Sequence, residues 1–163
     1  MYNLDIRQFF TEREHMTLHI KHFTQLTAEQ LYAILRARVD IFVVEQECPY
    51  QELDGKDMDA WHVWYEDEDG VAAYCRVLDK GVSYPGEGSI GRVITVKRGM
   101  GLGYKIMMEG IRTAQEKYGL TRLRIGAQQY AQGFYEKCGF VRASEPYLED
   151  GIPHIEMVRN PEG

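Results

Sequence analysis

Apolar residues along this chain fall into short alternating or continuous runs, interrupted by two stretches with helical spacing. Residues 16–23 put Leu18 and Ile20 on one face and predict a first strand. Thr27 and Gln30 form a capping box, with Leu26 placed to staple onto Leu31. Leu31, Ile34, Leu35, Ile41 and Phe42 continue as one apolar stripe, so a helix is expected that Pro49 stops near Cys48. Residues 61–66 and 71–78 are two strands joined by the hairpin signal Asp67-Glu68-Asp69-Gly70. A turn-rich connection with Pro85 and Gly86 leads into a strand over 89–96. The second helix carries Leu102, Ile106, Gly110 and Ala114 along one side and is expected to end at Gly119. A short buried strand at 121–126 follows, then a helix at 129–138 stopped by Gly139 and a strand from Phe140 and Val141. Residues 147–151 are expected to be a loop and 152–158 the last strand.

This order predicts an α/β protein of the α+β type. Its sheet is expected to be mixed, mostly antiparallel and twisted, with six to seven strands flanked by helices. One central parallel β-α-β crossover surrounds the second helix. Residues 1–15 show no clean period and are taken as an N-terminal extension, with 16–163 as a single domain. The 15 residues from Glu45 to Asp59 form a polar, acidic connection that is long for a plain linker.

Composition narrows the function. A net charge of −6 argues against a nucleic-acid surface and leaves room for a cationic substrate. The three cysteines, Cys48, Cys75 and Cys138, are scattered and odd in number, which argues against a disulfide framework or a bound metal and for a reducing cytoplasm. No apolar run is long enough to span a bilayer, so no membrane partner is expected.

The chemistry is concentrated where the 89–96 strand meets the second helix. Gly91-Arg92-Val93-Ile94-Thr95-Val96-Lys97-Arg98-Gly99-Met100-Gly101-Leu102-Gly103 reads as strand, tight turn and helix start. Free amides of a first helical turn, with Arg98 beside them, suit a phosphate. The run lacks the Lys-Ser/Thr ending of a P-loop and the G-x-G-x-x-G spacing of a dinucleotide fold. What remains is Arg-x-x-Gly-x-Gly, from Arg98 through Gly101 to Gly103.

That loop resembles the acetyl-CoA pyrophosphate loop of the GCN5-related N-acetyltransferases, the GNAT superfamily. The segment Ala131-Gln132-Gly133-Phe134-Tyr135-Glu136-Lys137-Cys138-Gly139-Phe140 is similar to the family's A-x-x-[LF]-Y-x-x-x-G-F. The flanks look like the ElaA-like subgroup: Phe42 through Tyr50, Asp54-Gly55-Lys56-Asp57, Gly91-Arg92-Val93, Ala127-Gln128 and Tyr147 through His154. The resemblance implies a GNAT fold and an acetyl-CoA-dependent N-acetyltransferase acting on a small-molecule or peptide amine. Backbone groups of Val93, Ile94, Thr95 and Val96 would then pair with pantetheine. Arg98, Gly99, Met100, Gly101, Leu102 and Gly103 would hold the diphosphate, and Tyr135 would protonate the leaving thiolate. Gln128 stands where many relatives carry asparagine, and only Lys97 separates Val96 from Arg98, where relatives have a proline-containing link. A homodimer would be compatible with this family.

A protonated amine cannot attack, so a base is needed. Glu45, Asp54, His62, Glu149 and His154 are the candidates, with Glu45 and His154 preferred and His62 read as structural. Arg76 and Arg92 are expected to be internal ion-pair partners of the acidic connection. None of the cysteines has a histidine partner in sequence, which disfavours an acyl-cysteine route. The competing reading is a non-catalytic acyl-CoA-binding or protein-interaction module on the same fold.

Overall fold

The computed structural model describes residues 15–161. All but one residue of the expected N-terminal extension lies outside the described residues. The elements in order are β1 (Thr17–His22), α1 (Ala28–Val39), β2 (Trp61–Asp67), β3 (Gly70–Leu78) and β4 (Ser89–Thr95). After these come α2 (Leu102–Tyr118), β5 (Leu123–Gln128), α3 (Gln132–Lys137), β6 (Val141–Arg142), β7 (Tyr147–Glu149) and β8 (Ile152–Arg159).

The local signals at α1 act as read. The Gln30 amide donates to Thr27 Oγ1 at 3.1 Å, and the Thr27 amide returns a bond to Gln30 Oε1 at 3.1 Å. The helix does not run unbroken towards Cys48. It leaves α geometry at Val39 and makes a π-helical turn over Asp40–Glu45, an irregularity often found beside functional sites. A second difference is β7. Residues expected to be a loop pair with β8 as a hairpin, because Asp150 (φ 49°) and Gly151 (φ 75°) supply the two left-handed positions that a tight hairpin turn needs.

The expected, mostly antiparallel pairing is present and divides into two sheets. Strands β1-β2-β3-β4 form an antiparallel sheet, and β5-β8-β6 with β7 on β8 form another. They meet at the parallel bridge between Gly88 and Leu123, backed by the Arg124 amide donating to the Gly88 carbonyl at 2.9 Å. Glycine is needed at that junction for space: a Cβ on Gly88 would lie 2.3 Å from Leu120 Cδ1 and 3.0 Å from the Leu78 carbonyl. Beyond this bridge β4 and β5 part.

Helix α2 covers one face of the sheets, over a core that includes Cys75, Ile90, Ile106, Leu123, Ile125 and Met157. Helix α1 covers the other face of the first sheet, with Ile34 packed against Trp64, Tyr74 and Ile94. Ile90 and Ile94 lie four residues apart on one strand, yet they belong to opposite faces. The cause is a bulge. Arg76 pairs with Gly91 and Tyr74 with Ile94, so β4 spends three residues where β3 spends two. Arg92 takes the extra step at φ 52°, a conformation that costs a side-chain-bearing residue about 1–2 kcal/mol.

Buried charge fixes the acidic connection. Arg38, fully buried on α1, grips Glu52 (Nε–Oε1 2.9 Å, Nη2–Oε2 3.0 Å) and Asp57 (Nη1–Oδ1 2.6 Å). Arg76 on β3 holds Asp54 (2.8 and 2.9 Å) and reaches Asp57 at 3.1 Å. Arg92 sits 2.7 Å from Glu52 Oε1, donates to the Glu52 carbonyl at 2.8 Å and stacks over Tyr50. Arg76 and Arg92 therefore do pair with the acidic connection, as expected.

Removing one partner of such a network leaves a buried carboxylate uncompensated. Arg38→Met is expected to lower stability by about 3–5 kcal/mol in urea unfolding, and a loss below about 1 kcal/mol would refute that account.

Candidate functional site

A cleft of about 890 Å³ opens where β4 and β5 part. Its walls come from the π turn after α1, the acidic connection, and the β7–β8 hairpin. Along β4 the backbone direction alternates. The Val96 amide donates to the Ala72 carbonyl at 2.8 Å, as does that of Lys97 at 3.3 Å, so Ile94 also faces β3. Val93 and Thr95 are left with backbone groups turned toward the open edge. Of the four residues expected to offer backbone groups to pantetheine, Val96 has its amide on β3 and Ile94 faces the same way.

The glycine turn follows. Gly99 (φ 80°) and Gly101 (φ 69°) are both left-handed, and Gly101 precedes α2 without a side-chain cap. The amides of Leu102, Gly103 and Tyr104 open the helix, and the Lys105 amide donates to the Gly101 carbonyl at 3.3 Å. The Leu102 side chain is buried beneath. Gly99, Met100, Gly101, Leu102 and Gly103 thus form a turn next to the cleft, while Val93, Ile94, Thr95 and Arg98 line it.

Two side-chain pairs meet across the mouth. Arg98 Nη2 lies 2.6 Å from Glu45 Oε1, with both side chains exposed. Gln128, at the end of β5, donates from Nε2 to Gln46 Oε1 at 3.1 Å. The π turn thereby brings adjacent residues, Glu45 and Gln46, to both lips of the parted strands.

Tyr135 on α3 also lines the cleft, its ring set edge-on to Phe134 and Phe140. Burial pushes its phenol well above the ordinary tyrosine range, so it holds its proton at neutral pH. His154 on β8 donates Nδ1–H to the Ile152 carbonyl at 2.7 Å, which leaves Nε2 as the exchangeable position, 3.3 Å from Glu149 Oε2. Tyr147 stacks on the same ring.

The remaining base candidates are occupied. The buried His62 donates Nε2–H to the Asp57 carbonyl at 3.0 Å and accepts from the Tyr74 hydroxyl at 2.7 Å, and burial holds its pKa down. It is a neutral structural histidine. Burial pushes Asp54 up, but the hydrogen bond and charge of Arg76 outweigh it and bring the pKa to about 2. A carboxylate that holds a proton so weakly makes a poor base. Burial raises the thiols of Cys75 and of Cys138, the latter to about 11, so neither is a ready thiolate at neutral pH.

Sequence reasoning passed over Arg38 and Lys56. The signal for Arg38 was present: it stands seven residues after Leu31, inside the apolar stripe, where a solvated arginine has no reason to be. Lys56, which also lines the cleft, carries no such signal, because its Nζ–Ser83 Oγ bond of 3.0 Å joins two distant loops.

Comparison with known proteins agrees with this geometry. Residues 23–160 match the family model described as an acetyltransferase (GNAT) domain. Protein ElaA of Escherichia coli K12 is 40% identical over 144 residues, covering 85% of this chain and 92% of ElaA. The crystal structure of Escherichia coli ElaA superposes with a TM-score of 0.82 at 38% identity, covering 89% of this chain and 99% of that one. An acyl-CoA N-acyltransferase from Pseudomonas aeruginosa gives a TM-score of 0.82 at 41% identity over 88% of this chain and 99% of its own. A CoA-dependent acyl-homoserine lactone synthase, BjaI, solved with SAM and isopentyl-CoA, shares the fold at 16% identity, with a TM-score of 0.73 over 88% of this chain and 82% of its own. No helix among the described residues is long and apolar enough to cross a membrane.

The network sets an acid limit. Asp54 and Asp57 have folded pKa values below their unfolded 3.8, so their stabilisation is complete above that value and is lost as pH falls towards about 2. His62, depressed from 6.5, acts in the same direction from a higher pH, because only the unfolded chain takes up its proton readily. Stability from urea titrations should decline from about pH 6.5 and more steeply below about 4. Asp54→Asn should flatten the lower limb, and an unchanged slope there would rule out this assignment.

Proposed function

This chain belongs to the GNAT acetyltransferase family, in its ElaA-like branch, and from that membership we propose that it transfers the acetyl group of acetyl-CoA directly to an amine. The observation that carries the proposal is the parting of β4 from β5. It leaves the Val93 and Thr95 edge facing a cleft that Tyr135 also lines. Sheet edges are normally paired or covered, and an edge held open inside a fold suits an extended, amide-bearing ligand such as pantetheine.

In this reading the glycine turn and the α2 N-terminus receive the diphosphate, with Arg98 turning from Glu45 to the phosphate oxygens. Gln128 supplies its amide to the coenzyme at the other lip. A β4 amide polarises the thioester carbonyl, an effect worth roughly 10²–10³ in rate per donor in acyl-transfer sites. The amine nitrogen attacks that carbon, the C–S bond breaks, and the departing sulfur takes the proton of the Tyr135 hydroxyl. The proton lost by the amine goes to His154 Nε2 or to Glu45, directly or through water. His154 is favoured because its other nitrogen is already committed to Ile152 and Glu149 can stabilise the ring once charged.

Two variants test this, with acetyl-CoA, an amine panel and free thiol as readout. Tyr135→Phe should lower kcat about 100-fold while leaving calorimetric affinity for acetyl-CoA intact; wild-type turnover would remove Tyr135 from the reaction. Arg98→Glu should weaken acetyl-CoA binding by about tenfold or more. If the wild-type chain binds no acetyl-CoA, the whole reading falls.

A further inference from the structure

The charges that line the cleft are mostly spent on each other. Arg98 faces Glu45, Arg76 is bidentate on Asp54, and Arg92 rests on Glu52 and Asp54. Outside these pairings the lining holds one cation, Lys56 of the acidic connection, and two acids of the β7–β8 hairpin, Glu149 and Asp150. Lys56 belongs to the short helical turn of the acidic connection, and its hydrogen bond goes to an uncharged group, Ser83 Oγ at 3.0 Å. Glu149 is on β7, and its partner is His154 Nε2 at 3.3 Å. Beside the Lys56 wall, Arg76 is 4% exposed and its Nε has no hydrogen-bond partner among the described residues. That wall thus carries one cation, Lys56, that no carboxylate answers.

Lys56 sits away from the coenzyme grip proposed above. Lys56 follows closely on Asp54, which Arg76 holds at the level of Gly91 near the start of β4, whereas Arg98 lies beyond its end. The strand from Gly91 to Thr95 alone spans about 13 Å, so the two cations serve different parts of a ligand pair. Ser83, the partner of Lys56, precedes Tyr84, and the Tyr84 and Tyr147 hydroxyls converge on Gly126, where a Cβ would stand 3.0 Å from Tyr147 Oη and 3.8 Å from Tyr84 Oη.

We infer that the acceptor is an amine that also carries a carboxylate, an amino acid or a close analogue. Its carboxylate lies on Lys56 and the Ser83 hydroxyl, and its amine lies toward Glu149 and His154. A dipolar cleft recognises a dipolar ligand, and an amine without the anion leaves the Lys56 charge unanswered. The inference rests on the acyl-transfer reading and adds the substrate class and two specificity residues, Lys56 and Ser83.

The test uses matched pairs with acetyl-CoA and thiol release: histidine against histamine, tyrosine against tyramine, lysine against cadaverine, within a panel of the common amino acids. In the wild-type chain at least one amino acid should exceed its decarboxylated partner by about tenfold or more in kcat/KM. Lys56→Met should raise KM for that amino acid about tenfold or more and leave the decarboxylated amine unchanged, and Lys56→Arg should retain part of the preference. If the decarboxylated amines react as well or better, or if Lys56→Met slows both members equally, the acceptor inference is overturned while acyl transfer stands. Thiol release from no member of any pair or panel overturns both.

Discussion

Two buried guanidinium groups and a third that is mostly covered dictate the shape of the cleft. Arg38 and Arg76 are buried, Arg92 nearly so, and the carboxylates that answer them, Glu52, Asp54 and Asp57, all come from one stretch of chain. A buried guanidinium without its counter-ion costs several kcal/mol, so this stretch has a single acceptable place, against β3 and the end of α1. A polar connection with little regular structure becomes a fixed wall in this way. The arginines come from α1, β3 and β4, so the same contacts tie helix, sheet and wall into one body.

Arg92 links that wall to the strand that matters most. Its left-handed backbone creates the extra step in β4, and its side chain anchors on Glu52 and Tyr50. The bulge turns Ile90 toward α2 and Ile94 toward α1, so both faces of one strand are covered. A bulge also bends and twists its strand. β4 meets β5 at the Gly88–Leu123 bridge, before the bulge, and has no pairing with it afterwards. The open edge and the wall that faces it therefore share a cause in one residue.

Much of this was legible in the residues, and the parts that were not are instructive. Capping at Thr27, the hairpin at Asp67–Gly70 and the helix start after Gly101 are local, so spacing alone reveals them. The resemblance to GNAT proteins pointed to the cleft residues. The left-handed Arg92 was not legible, since Gly91 beside it looks like the residue built for such a conformation, and tertiary ion pairs decide otherwise. Asp150-Gly151 did carry a hairpin signal, but the strand before it has only three residues and no alternation long enough to register. Partition of the acids among Arg38, Arg76 and Arg92 depends on contacts 14 to 40 residues apart, which no pattern along the chain encodes.

The mouth of the cleft is built on the opposite principle from its wall. Glu45–Arg98 and Gln46–Gln128 are a solvent-exposed ion pair and a part-buried amide pair, and contacts of the exposed kind contribute about 0–1 kcal/mol. Both rest on one π-helical turn, whose backbone is less tightly laddered than an α-helix. A diphosphate offers Arg98 more charge than one carboxylate does, so exchange of partners there needs no repacking of the core. In the proposed reaction that exchange does two things at once: it seats the coenzyme, and it frees Glu45 beside the incoming amine. Strong buried pairing where the shape must persist, and weak exposed pairing where a ligand must enter, is the division of labour that an acyltransferase with this cleft requires.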